Sequence, residues 1–137
     1  MYEQITAYLP KLEEQPHGEW IIDRVNDGTP EHPIQFPFVG YSRAVHEFQD
    51  AVYQFIDEHK EMQLTNYSGI LEKVNVKWGL DSMKDADVSS YDGSTVMALI
   101  VGAMRAERFC DGALLDFLES GSVKRWLERL IEIDNIK

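Results

Sequence analysis

The chain has one cysteine, Cys110, in 137 residues, which excludes an internal disulfide and gives no sign of an oxidising compartment. It also lacks a long hydrophobic run. The most apolar stretch, Val96 to Met104, is far shorter than the ~20 residues a helix needs to cross a bilayer. Residues Met1 to Gln15 contain no basic segment followed by an apolar one, so no secretory signal is expected. Together these absences predict a cytoplasmic protein. No glycine-rich phosphate loop, Gly-x-Ser-x-Gly or Cys-x-x-Cys occurs, so the commonest nucleotide, hydrolase and redox signatures are missing.

Positive charge is scarce. Thirteen Lys and Arg stand against 24 Asp and Glu, a net charge of −11. Nucleic-acid affinity comes largely from cations that displace counterions, so neither nucleic acid nor an anionic membrane is expected as a partner. The simplest role of the excess acid is solubility. Four of the six arginines, Arg105, Arg108, Arg125 and Arg129, fall in the C-terminal third.

What is present is globular composition, 44% hydrophobic and 11% aromatic, at a length that suits one domain over residues 1–137. Tyr2, Ile5, Tyr8, Leu9 and Leu12 recur at helical spacing, with Pro10 predicting a kink or break near Leu9. Glu19 to Val25 and Ile34 to Val39 are short β-prone runs separated by Asn26-Asp27-Gly28-Thr29-Pro30, the pattern of a hairpin. Pro37 would hold its strand at an edge. Ser42 is placed to cap a helix over Arg43 to His59, with Val45, Phe48, Val52, Phe55 and Ile56 as its apolar stripe.

Tyr67 to Trp78 reads as a helix ended by Gly79, and Leu80 to Tyr91 as irregular with one short turn at Met83 to Asp87. From Thr95 the chain is apolar nearly all round, which marks a helix buried on most sides. A further helix over Gly112 to Glu119 would be capped by Asp111. A last one, capped by Ser122, would bury Val123, Trp126, Leu127, Leu130 and Ile131. The fold class expected is mainly α (α+β), a helical core of about five helices with one small antiparallel β-hairpin.

The densest polar constellation is Arg105-Ala106-Glu107-Arg108-Phe109-Cys110-Asp111-Gly112, followed by Leu118-Glu119-Ser120-Gly121. This stretch resembles an uncharacterised bacterial family, a domain of unknown function. Its members end in Arg-Phe-Cys-Asp/Glu-Gly, a short helix, Glu-Ser-Gly and a last amphipathic helix. Tyr8-Leu9-Pro10, Gly18-Glu19-Trp20, Phe38 to Ser42 and Val45 to Phe48 carry the same resemblance upstream. It implies no activity.

Physically the motif supports two accounts. In the structural one, Gly112 and Gly121 punctuate three helices, Arg108 bonds Glu119 or helix-end carbonyls, and Phe109 and Cys110 pack in the core. In the functional one, Arg105, Arg108 and the helix N–H groups after Asp111 hold an anion. The Asp111 carboxylate would compete for those groups, which favours the structural account. Cys110 as a nucleophile lacks a nearby histidine base. His46 and Asp50 stand one helical turn apart, with Glu47 and Glu19 as further carboxylates, but three ligands cannot be assembled, so no metal and no cofactor is assigned.

Trp20, Phe36, Phe38 and Tyr41 gather around the hairpin. As core they would cover it; as a groove they would bind a peptide or small ligand. The reading that follows is a non-catalytic protein- or ligand-binding domain. Its candidate binding residues are Trp20, Tyr41, His46, Arg105 and Arg108, and its edge strand would suit a partner strand or a homodimer. The alternative is a small hydrolase-like or metal-binding enzyme using carboxylates and His46, and the sequence does not decide whether the chain is an enzyme.

Overall fold

The computed structural model describes residues 1–14, 17–22, 28–31, 33 and 37–136. It is mostly helical, with one two-stranded antiparallel sheet. Helices α1 (Glu3–Thr6) and α2 (Leu9–Leu12) open the chain, and the break between them falls where Pro10 predicts. Proline has no N–H to give and is tolerated in the first turn of α2.

Strands β1 (Gly18–Ile21) and β2 (Phe38–Tyr41) form the hairpin. The observed β2 begins after Pro37, so the missing N–H lies outside the ladder. Residues 23–27, 32 and 34–36, which include parts of both expected strands and Phe36, lie outside the described residues. Trp20 faces Val39 and Ile21 faces Phe38 across the ladder. Alternation therefore puts Gly18, Trp20, Val39 and Tyr41 on one face and Glu19, Ile21, Phe38 and Gly40 on the other.

Helix α3 (Arg43–Glu58) follows, its first turn capped by Ser42 Oγ, which accepts the Val45 N–H at 3.4 Å. It buries Val45, Phe48, Val52 and Phe55 of the expected stripe, with Ile56 partly buried beside them. Two 3₁₀ turns lead into α4 (Tyr67–Glu72), which is shorter than expected. Asn75, at φ 61°, ends it, not Gly79. The Val76 N–H reaches the Leu71 carbonyl and the Asn75 N–H that of Glu72, both at 3.0 Å. With Leu71 and Val76 buried together this is a Schellman ending, in which asparagine takes the place glycine usually holds. Helix α5 (Leu80–Asp85) occupies a stretch expected to be irregular, anchored by the fully buried Met83.

Helix α6 (Gly93–Glu107) is the centre of the molecule. Asp92 Oδ1 accepts the Thr95 N–H at 2.9 Å, and every residue from Thr95 to Met104 is buried. Around it pack α4, α7 (Ala113–Glu119) and α8 (Ser122–Asn135), while α1 touches both α3 and α8. Trp126, Phe48, Phe55 and Phe117 are fully enclosed, each stabilising the fold by about 1.5–3 kcal/mol through burial. Ile131, expected on the α8 stripe, is 36% exposed, because the stripe rotates off the core in the last turns. Ser122 is not the α8 cap. Gly121 holds that position, and the Ser122 hydroxyl is buried against Ser120 Oγ at 2.9 Å.

No helix among the described residues is long and apolar enough to cross a membrane.

Gly93 shows how tightly α6 is held. A Cβ there would lie 1.9 Å from the Tyr2 hydroxyl, and the Tyr2 ring is stacked on Phe55. A glycine-to-alanine change in a helix ordinarily stabilises by about 1 kcal/mol. At Gly93 the sign is expected to reverse, with Gly93→Ala lowering stability in urea denaturation by about 1–3 kcal/mol; a stabilised variant would show that Tyr2 does not pack there.

Candidate functional site

The five candidate residues lie in different surroundings. Tyr41 ends β2, and its hydroxyl donates to Glu107 Oε1 at 2.6 Å while accepting the Leu115 N–H at 3.0 Å. Glu107, the last residue of α6, reaches forward along the chain. Its Oε1 also accepts the N–H groups of Gly112 (3.1 Å) and Leu114 (3.0 Å), and its Oε2 that of Gly112 (3.2 Å). The remaining N–H of this first turn, on Ala113, goes to the Cys110 carbonyl at 3.1 Å.

The start of α7 is thus fully satisfied by protein, which corrects the expected Asp111 cap. Asp111 is exposed and is not the cap; Gly112 holds that position at φ 91° and Glu107 supplies the carboxylate. No N–H of that turn is left to hold an anion between Arg105 and Arg108.

Trp20 leans on the same joint. A Cβ at Gly112 would lie 2.4 Å from the indole Cζ2, so only glycine leaves room for the ring, and the left-handed φ suits glycine as well. Trp20 remains 47% exposed, and Ile21 and Ile22 beside it 42% and 52%. The hairpin is also tied behind. The Ser42 N–H donates to the His17 carbonyl at 2.7 Å, and the His17 ring, buried, donates through Nε2 to the Leu12 carbonyl. His17 also lines a cavity of about 300 Å³ walled by Leu9, Leu12, Leu118, Val123 and Leu127.

Phe109 and Cys110, expected in the core, are exposed, Phe109 at 77%. The turn that carries them projects from the α6–α7 corner, because their backbone closes on Ala106 and leaves the side chains outside. Phe109 meets Trp78 edge to face, ring centres 5.6 Å apart, and Trp78 meets Tyr67 at 5.8 Å. The Trp78 indole N–H donates to the Gly102 carbonyl at 2.9 Å, which fixes the ring against α6. Tyr67, Trp78 and Phe109 therefore form an aromatic row that is half-buried at Tyr67's end and open at Phe109. Sequence spacing did not reveal this row.

Arg105 lies one helical turn before Phe109 and is half-buried; Arg108, beside Phe109, is exposed. Neither takes part in a side-chain hydrogen bond or ion pair among the described residues, so the expected Arg108–Glu119 bond is absent. It is Arg125 and Arg129 that bind carbonyls, those of Lys84 and Tyr91. His46 and Asp50 are exposed on α3, and Glu19 is exposed on β1. No group of three or more His, Cys, Asp or Glu among the described residues is arranged to hold a metal ion.

Burial, and then the hydrogen bond to Glu107, push the Tyr41 phenol well above the ordinary tyrosine range. A raised folded pKa contributes stability that is whole below the unfolded phenol's value of about 10 and fades as pH climbs above it. Tyr41→Phe is expected to cost about 1–3 kcal/mol at neutral pH in urea denaturation. The wild type's lead should then shrink between roughly pH 9 and 11. Tyr2, also raised, is common to both proteins and cancels. A lead that stayed constant would remove the phenol from the clasp.

The contact between Trp20 and Gly112 is tested by a double-mutant cycle. Gly112→Ala should destabilise by about 2–3 kcal/mol in the wild type and by about 1 kcal/mol in a Trp20→Ala background, where only the backbone strain remains. Equal penalties would mean that the indole does not rest on Gly112.

No curated protein and no solved structure matches the chain. The sequence pattern of a family of unknown function, DUF6508, matches residues 2–135, and the chain belongs to that family.

Proposed function

We propose that this chain is a non-catalytic, protein-binding domain whose working surface is the corner where the hairpin, the end of α6 and the start of α7 meet. The observation that carries the reading is Phe109. It is a large aromatic side chain, 77% exposed, set on a turn whose neighbours are hydrogen-bonded in place. Single exposed apolar residues are ordinary on protein surfaces. Here Phe109 continues a fixed aromatic row through Trp78, and half-exposed Trp20 rests on Gly112, three residues further on. Rigid aromatics lose little entropy on binding and are the residue types that anchor interfaces.

The Arg108 to Gly112 stretch, on this reading, is a signature of a bacterial family because it builds this corner. Glu107 must reach forward to the start of α7 and Gly112 must admit Trp20, while Phe109 remains outside. A cytoplasmic setting suits an exposed, unpaired Cys110.

The test selects random displayed peptides of about twelve residues on the wild-type chain and on Phe109→Ala. Phe109→Ala should keep its melting temperature within about 2 °C, since little is buried there. Peptides selected on the wild type should lose at least about tenfold in affinity for the variant. Failure to select any peptide that distinguishes the two proteins would overturn the reading, as would a large fall in melting temperature.

A further inference from the structure

We infer that the partner presents an acidic segment with an aromatic or large aliphatic side chain among its carboxylates; this rests on the protein-binding reading above. The argument is one of charge. In a chain of net charge −11, six of the eleven described lysines and arginines are committed. Lys11 and Arg43 lie against Glu47, Lys84 against Asp116, Lys124 against Glu13 and Arg129 against Glu132, while Arg125 binds a carbonyl. Lys60 and Lys73 have no ion pair but share surface depressions with Asp57 and with Glu61 and Asp92.

The other described cations without a carboxylate are Lys77, Arg105 and Arg108, and they flank the exposed aromatic pair. Lys77 adjoins Trp78 in the chain, Arg108 adjoins Phe109, and Arg105 lies on α6 between Gly102, which holds the Trp78 indole, and Phe109 one turn on. The same corner holds Glu72, which lines a depression with Lys77 and Trp78, and the exposed Asp111; neither is in an ion pair. Glu107 is there too, but its carboxylate is turned onto the Tyr41 phenol and the Gly112 and Leu114 N–H groups, so three unpaired cations meet two exposed, unpaired acids.

An exposed apolar anchor whose chain neighbours are uncommitted cations, on an otherwise acidic protein, complements an acidic, apolar-bearing peptide. Arg adds planar two-point recognition of carboxylates. A polyphosphate chain would meet the same cations but also the field of the whole acidic surface, which repels it. A second copy joined symmetrically through this corner would bring Arg105 and Arg108 against their own equivalents.

The experiment uses the full chain and its Lys77→Gln/Arg105→Gln/Arg108→Gln variant, after equal melting temperatures show that both are folded. Peptides of about twelve residues selected on the wild type are sequenced, and the strongest is labelled and titrated by fluorescence anisotropy at about 50 and 300 mM salt. A labelled oligothymidylate of similar length is titrated in parallel.

Selected peptides should be net acidic with a Phe, Trp, Leu or Ile. The triple variant should weaken binding by about tenfold or more, and higher salt should weaken binding to the wild type. Peptides that are neutral or basic, or a triple variant that binds within about twofold of wild type, would overturn the inference. If Phe109→Ala still abolished binding in that case, the aromatic surface would stand and only its charge preference would fall. Tighter binding of the oligothymidylate than of any peptide would also overturn it, as would a wild-type dimer dispersed by Phe109→Ala in sedimentation.

Discussion

The Glu107 carboxylate organises the molecule's exposed corner. It accepts one phenol and two backbone N–H groups, and so joins the end of α6, the start of α7 and the tip of β2 at a single point. Each partner is marginal alone. A helix of seven residues does not persist in water by propensity, and a two-stranded sheet does not either. Here the hairpin supplies Tyr41 to the helix, and the helix supplies Leu115 N–H and the Gly112 shelf to the hairpin. The buried apolar face of α7, Leu114, Leu115, Phe117 and Leu118, sets the helix on the core, and the clasp fixes where it starts.

That arrangement explains how the corner presents aromatic side chains without becoming soft. Trp20, Trp78 and Phe109 each have one side against protein and another open to solvent. Trp78 is held by its indole N–H, Trp20 by a glycine that leaves no room for movement inward, and Phe109 by Trp78. The apolar area is presented in a fixed shape, and little ordering is left for a binding event to impose.

Elements defined by local rules were legible in the sequence. The Ser42 cap, the α3 stripe, the all-round burial of α6 and the break at Pro10 each depend on residues within a turn or two of one another. The C-terminal end of α4 and the start of α7 were misread for one reason: a residue of the favoured type stood in view, and the chain used another. Gly79 drew the α4 ending, yet Asn75 adopted the left-handed conformation three residues after the helix ended. Asp111 drew the α7 cap, yet a glycine follows it at positive φ and the carboxylate came from Glu107, which as the charged end of a helix reads as solvent face. The Tyr41 contact spans 66 residues of sequence, and no periodicity encodes it. Phe109 reads as core by residue type; only the turn at the end of α6 turns it outward. Of the candidate site, Trp20 and Tyr41 meet at one joint, and Arg105 and Arg108 flank the neighbouring aromatic pair. His46 stands exposed on α3 with no such setting.

The arginines of α8 are fasteners for a segment made much earlier. Arg125 holds the Lys84 carbonyl, and Arg129 grips that of Tyr91 through Nε and a terminal nitrogen. Residues 84–91 contain one 3₁₀ turn and the end of α5, with little internal hydrogen bonding to keep them in place. During synthesis this stretch leaves the ribosome some forty residues before its clamps. Lys84 also meets Asp116 of α7, and the two arginines add the last ties, so α8 acts as the latch that closes that flank of the fold.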